Sequence, residues 1–189
     1  RVTVRTTQAR TGRVTAMRII TLVGLLLAFF SPSSAYAQSC DPRIARAVSI
    51  QGTVEARRSG AVEWRAVRMG DELCAGDSVR AGPNSRADVA LLDQSVLRIR
   101  ASTELTLSGV RGDETSLVDL LRGAAHFFTR QGAGSLEVNT PFTVAGVRGT
   151  EFYVEVGPEQ TLLSVFEGSV LASNPGGQLA LAGGESAVA

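Results

Sequence analysis

Apolar and polar positions alternate with a period of two along most of this chain from Ala47 onward. No stretch after Gln38 sustains a helical period. The cleanest run is Ala47 to Arg57. Val48, Ile50, Gly52, Val54 and Ala56 share one face, and Ser49, Gln51, Thr53, Glu55 and Arg57 the other. Gly52 on the apolar face predicts a bend, a bulge or a close backbone approach. Leu97 and Ile99 are expected to point inward with Arg98 and Arg100 outward. Phe152, Val154 and Val156 are expected inside, opposite Glu151, Tyr153 and Glu155.

Turn chemistry separates the runs. Gly70-Asp71 and Gly76-Asp77 read as tight turns, Gly82-Pro83-Asn84-Ser85 as a hairpin, and Arg122-Gly123 and Gly157–Gln160 as further turns. The pattern predicts an all-β single domain of about ten to twelve short strands. A faint internal echo, V-S-I-Q-G-T-V-E-A (48–56) against L-S-V-F-E-G-S-V-L-A (163–172), differs by one inserted residue. Two such turns stacked on one core suit a β-roll or solenoid-like sandwich.

The N-terminal region breaks this pattern. After Met17 and Arg18, an apolar core from Ile19 to Phe30 is followed by Ser31-Pro32-Ser33-Ser34 and then Ala35-Tyr36-Ala37. This reads as a signal peptide helix over residues 17–37, cleaved between Ala37 and Gln38, with residues 1–16 an over-extended start. The apolar core is short for a membrane span, which needs roughly 20 residues; an uncleaved anchor is the alternative. Ala37 and Gln38 are a poor fit to the residues that precede a lipidated cysteine, so Cys40 is not read as one.

Removing the leader changes the charge. All 18 acids follow Gln38, whereas five of the 19 basic residues (Arg1, Arg5, Arg10, Arg13 and Arg18) precede it, so the mature chain is net acidic by about four charges. The basic character of the whole chain belongs to the leader and implies no nucleic acid partner. There is no lysine, which excludes a Walker-type phosphate loop, a Schiff-base lysine and a Ser-Lys dyad. His126 is the sole histidine, so a His-rich metal site cannot form. Gly132-Ala133-Gly134 lacks the third glycine and following helix of a dinucleotide site. No catalytic, cofactor or metal residues are assigned.

Two cysteines behind a secretion signal are expected to form a Cys40–Cys74 disulfide, with two unpaired thiols as the alternative. A loop of that size corresponds to about 3–4 kcal/mol in the chain-entropy model. Trp64, the only tryptophan, is expected as a core or lid residue. His126, between Ala125 and Phe127, is expected as a structural histidine.

Three blocks resemble the FecR domain: G-D-S-V-R-A-G-P-N-S-R-A-D-V-A-L-L-D-Q-S-V-L-R-I (76–99), N-T-P-F-T-V-A-G-V-R-G-T-E-F-Y-V-E-V (139–156) and V-F-E-G-S-V (165–170). The most specific is the T-P…V-R-G-T-x-F block. The resemblance marks Thr140, Pro141, Gly146, Val147, Arg148, Gly149, Thr150, Phe152, Glu167 and Gly168 as family motif residues, structural or interacting. It implies a FecR-like β domain over residues 38–189 with a core of about 47–172, a non-enzymatic role in protein interaction or signal sensing, and a periplasmic or secreted place in a Gram-negative envelope. The family's regulators carry a cytoplasmic segment that controls a sigma factor. Here a cleavable-looking leader stands in that place, and anti-sigma activity is not expected.

Gly146 and Gly149 bracket Val147-Arg148 and allow a tight corner. Arg148 is expected to be structural, tying backbone carbonyls and a carboxylate, with Glu151 or Glu167 as candidate partners. On that reading Arg148→Ala lowers the thermal midpoint; presentation to a partner is the alternative. The expected partner is another envelope protein or a cell-wall component, with membrane contact only through the signal segment before cleavage. A carbohydrate- or peptidoglycan-binding module would need an exposed aromatic platform, for which Tyr153 and Trp64 are the candidates. A hydrolase with paired carboxylates is the least supported reading.

Overall fold

The structure, a computed structural model, describes residues 42–112, 115–129 and 135–189. The expected signal helix, its Ala37-Gln38 junction and Cys40 lie outside the described residues. Among the described residues there is no helix, and so none long and apolar enough to cross a membrane.

The chain shuttles between two β-sheets. It begins in the first with β1 (Arg43–Gln51), then crosses to the second for β2 (Val54–Arg57) and β3 (Arg65–Ala66). It returns for β4 (Glu72–Cys74) and crosses again for β5 (Asp77–Ala81). β6 (Arg86–Leu91) and β7 (Val96–Ile99) follow in the first sheet and β8 (Glu104–Arg111) in the second. β9 (Thr115–Phe128) starts in the second sheet and ends in the first. β10 (Leu136–Asn139) and β11 (Val144–Val147) return to the second, β12 (Glu151–Val156) and β13 (Thr161–Glu167) to the first. β14 (Ser169–Asn174) and β15 (Gly177–Ala182) close the second sheet, and β16 (Ser186–Val188) the first.

The first sheet therefore runs β4-β1-β6-β7-β9-β12-β13-β16, and the second β3-β2-β5-β8-β9-β10-β11-β14-β15. All pairings are antiparallel except β9 with β10. Strand order follows chain order almost throughout, so the chain advances along the molecule as it winds between sheets. This is the all-β fold that the alternation implies, in the solenoid-like sandwich that the internal echo suits. The inward residues of both sheets form one cluster, with Leu97, Ile99, Phe127 and Phe152 from the first meeting Leu105, Leu120 and Val138 from the second. Phe127 and Phe152, side by side on neighbouring strands, stack with ring centroids 4.8 Å apart.

Four local expectations change. Sixteen strands are present among the described residues, because segments of two or three residues such as β3, β4 and β16 carry too little pattern to read. Gly82–Ser85 is not a hairpin: β5 pairs with β2 and β8, β6 with β1 and β7, and the turn carries the chain across the sandwich. Arg122-Gly123 is not a turn between strands but a bend within β9. Residues before Gly123 pair in the second sheet, and Gly123 onward pair in the first. Val48 is 43% exposed, because β1 bulges between Ala47 and Ser49 and the phase of the alternation flips. Ile44, Ala45 and Ala47 fill the core instead.

The crossings share a device. At Gly52, Gly123 and Gly149 the chain takes a positive φ, and the next residue's N–H donates to a buried hydroxyl. Thr53 N–H donates to Ser85 Oγ at 2.9 Å, Ala124 N–H to Thr103 Oγ1 at 2.9 Å, and Thr150 N–H to Thr129 Oγ1 at 2.6 Å. Each hydroxyl satisfies a backbone donor at the point where the chain changes ladders. The echo noted above is real at this level. Gly52 and Gly168 are both positive-φ crossings from the first sheet to the second, and Val54 and Val170 are both buried after them. The one inserted residue is a β-bulge in β13: Glu151 faces Glu167 and Phe152 faces Val165, which leaves Phe166 unpaired.

Candidate functional site

Most of the family-motif residues fall on one corner, between β11 and β12, and its supports; Thr140 and Pro141 lie in the turn at the other end of β11. Thr150 is 1% exposed and ties three segments. It exchanges hydrogen bonds with Thr129 at the end of β9, and its hydroxyl donates to the Ser169 carbonyl at the start of β14, 3.0 Å away. Gly168 must be glycine for packing reasons, since a Cβ there would lie 2.8 Å from the Gly149 carbonyl oxygen and 2.9 Å from Thr150 Oγ1. Val147 and Phe152 are buried on either side. Thr140 organises the turn that holds exposed Pro141: its hydroxyl accepts the Thr143 N–H and lies 2.9 Å from Thr161 Oγ1. Gly146 is in the middle of β11, and a Cβ there would meet nothing within 4 Å.

Arg148 departs from the expectation. It is exposed, and among the described residues it enters no ion pair, with Glu151, Glu167 or any other carboxylate. The corner is held by the threonine hydroxyls and the glycine approach instead. Among the motif residues Arg148 and Glu167 are charged side chains facing solvent from a rigid frame.

Beside the corner lies an open groove of about 550 Å³ on the outer face of the first sheet. Val96, Arg98, Phe128, Gly149, Glu151 and Glu167 line it. The register of the sheet explains who meets whom. One row across it is Asp88, Arg98, His126, Tyr153, Ser164 and Ser186; the next is Ala90, Val96, Phe128, Glu151 and Glu167. Arg98 donates to Asp88, Nε to Oδ1, at 2.9 Å and lies over the Phe128 ring, 5.3 Å from its centroid. That Asp88 hydrogen bond raises the Arg98 pKa further. Glu151 and Glu167 sit directly opposite each other, an arrangement that costs stability when nothing lies between the charges.

His126 is at the centre of an aromatic group, 4.1 Å from Phe128, 5.1 Å from Phe166 and 6.5 Å from Tyr153 between ring centroids. Its Nε2 is 3.1 Å from Glu151 Oε1 but off the line of a hydrogen bond, so the contact is one of charge when the ring is protonated. Burial lowers the His126 pKa, and Arg98 and Arg100 add to that, while Glu151 opposes them. Among the described residues no hydrogen bond joins this imidazole Nε2 to a nucleophile. Tyr153 is half-buried with its hydroxyl donated to Glu155 Oε2, 2.9 Å away, so it offers no open platform. Trp64 is a lid on the second sheet, with the guanidinium of Arg80 4.2 Å and that of Arg57 4.8 Å from its ring centroid. Among the described residues no group of three or more His, Cys, Asp or Glu could hold a metal. No cysteine there is free; the Cys40 half of the expected disulfide lies outside the described residues.

The sequence reading did not single out Phe166, Phe128 and Arg98 for the site, and it named Glu151 only as a candidate partner of Arg148. One signal was available, since the extra residue of the internal echo is the bulge that turns Phe166 outward, where it is 56% exposed. The others meet only through the strand order.

A family model described as FecR protein matches residues 77–171, from β5 to the middle of β14. Two crystal structures of a candidate anti-sigma factor from Parabacteroides distasonis ATCC 8503, at 2.50 and 1.65 Å resolution, share the fold. Each matches with a TM-score of 0.51 and 22% identity, over 59% of this chain and 58% of that one. The match thus spans less than two thirds of that protein's length. No curated protein sequence matches the chain.

Proposed function

This chain belongs to the FecR protein family, and from that premise we propose that it is a non-enzymatic module of the cell envelope, periplasmic or secreted, that works by protein interaction or signal sensing. The observation that carries the proposal is Arg148. Among the described residues Arg148 has no ion pair, and it stands on a corner held by Thr150, Thr129 and the close approach of Gly168 to Gly149. Its planar guanidinium can make bidentate, charge-assisted hydrogen bonds when a carboxylate or carbonyl of a partner reaches it. The groove at its side supplies an aromatic floor and charged walls, the make-up of a polar protein contact with an apolar centre. A leader removed on export, and a Cys40–Cys74 bridge formed afterwards, belong to the same proposal.

The test compares the parent protein with Arg148→Ala. Both are used to capture partners from envelope extracts, and both are melted. The expected result is a specific protein partner lost in the variant, with a thermal midpoint unchanged within about 0.5 kcal/mol of stability. A lowered midpoint returns Arg148 to a structural role. Retention of the protein on purified sacculi, insensitive to Arg148, points to a wall-binding module instead.

A further inference from the structure

The outer edges of the two sheets are not alike. The first sheet ends in β4 and β16, of three residues each; the second ends in β3, of two, and β15, of six. β3 carries Arg65 beside Glu63, and β4 carries Glu72 paired with Arg43. Shortness and charge are the means by which sheets block edge-to-edge pairing. β15 has neither. Gly177-Gln178-Leu179-Ala180-Leu181-Ala182 contains no charge and no proline, and among the described residues no strand pairs with its outer side.

The hydrogen-bond phase of this edge follows from one contact. The Gly183 N–H donates to the Gly168 carbonyl at 3.0 Å, and bonded pairs alternate along an antiparallel ladder. Gly177, Leu179 and Leu181 therefore turn their backbone groups toward β14, and Gln178, Ala180 and Ala182 turn theirs outward. Ala182 is already satisfied by its own turn. Its N–H donates to Glu185 Oε2 at 2.7 Å, and its carbonyl accepts the Glu185 N–H at 3.0 Å. The open positions are Gln178 and Ala180. Between them Leu179 sits opposite Ala172 on the core side of the sheet, yet it is 51% exposed because the sandwich ends there. It borders a recess of about 230 Å³ with Leu163, Ala187 and Val188.

We propose that β15 is a dimerisation edge whose occupant is β15 of a second copy, antiparallel and centred on Leu179. In that register Gln178 of each copy exchanges hydrogen bonds with Ala180 of the other, four bonds in all, and the four open groups of each strand are used. Ala182, already bonded, stays outside the pair. Leu179 meets its own counterpart at a non-bonded position, where opposing side chains come closest, and each covers the other's exposed face. The strand is uncharged, so a two-fold axis brings no charge against itself. The contact is small beside a standard interface of roughly 1,200–2,000 Å², so the dimer is reversible and concentration-dependent.

Sedimentation equilibrium of the purified protein over a wide concentration range should show monomer passing to dimer. Ala180→Pro removes one outward N–H and no bond to β14, a change an edge strand tolerates, and should shift the equilibrium to monomer. The register has its own readout. Under mild oxidation Leu179→Cys should cross-link two chains faster than Ala180→Cys, a comparison that stands even if the proline variant folds poorly. Three results overturn the proposal: a monomer at every concentration, a dimer indifferent to Ala180→Pro, or cross-linking no faster at 179 than at 180. A monomer that instead takes up an added extended peptide along β15 also overturns it, by naming another occupant.

Discussion

His126 shows how a single side chain can couple this domain to pH. It lies on the outer face of the first sheet, yet aromatic rings remove most of its solvent, and burial lowers its pKa below the ordinary value. Glu151 at 3.1 Å pulls the other way, while Arg98 and Arg100 reinforce burial. The direction fixes the sign of the linkage. In the unfolded chain the imidazole takes up its proton near pH 6.5; in the folded protein it resists until a lower pH, so the unfolded state binds more protons in that window. The stability that the neutral ring contributes is complete above about pH 6.5 and is lost as the pH falls through the folded value. Thermal midpoints measured from about pH 7.5 to 5.5 should fall for the parent protein and fall less for His126→Gln. Parallel curves for the two would mean that the ring titrates as it does in water. The residue type was plain in the sequence, as was its unsuitability for catalysis. Its neighbours were not, because Phe166, Tyr153 and Arg98 come from three other strands and meet it only through the register of the sheet.

At the scale of the element, the crossings decide the architecture. Alternation located most strands and their inward faces correctly, as in β7 and β12, because a half-buried strand writes its period of two into the chain. It could not say whether a turn joins neighbours in one sheet or passes between two, since Gly82–Ser85 uses the same residues for a crossing that a hairpin uses for a return. Gly123 is the sharpest case. Its φ is +82°, and an added Cβ would lie 2.6 Å from both the Cα and the Oγ1 of Thr103, whose hydroxyl already accepts the next N–H. Gly123→Ala combines backbone strain with an overlap that backbone atoms cannot relieve, and should cost at least about 2 kcal/mol in a denaturant melt. Gly146→Ala is the matching control. Its φ is not positive and nothing lies within 4 Å of the new methyl, so a change within about 0.5 kcal/mol is expected. Equal losses at the two positions would show that glycine at Gly123 is not required by the crossing.

At the scale of the whole molecule, the question is whether two sheets make one cooperative unit. They share β9, and their buried side chains form a single cluster rather than two. The region carrying the family match and the region before it therefore cannot unfold separately without opening that cluster on one side. Phe152 and Trp64 allow a direct test, because they report from different sheets. Phe152 is fully buried in the first sheet and stacked on Phe127, while Trp64 rests on the outer face of the second sheet, over Arg80 and Arg57. Phe152→Ala should cost about 3–5 kcal/mol through lost burial and the cavity left behind. Trp64 touches none of the groups removed, so its fluorescence responds to Phe152 only if the sheets melt together. The expected result is one transition, with the fluorescence midpoint and the far-ultraviolet circular dichroism midpoint lowered by the same amount. A fluorescence midpoint that stays at the parent value while the dichroism midpoint falls would divide the molecule at β9, and Gly123 would then be a hinge between two folding units rather than a bend within one.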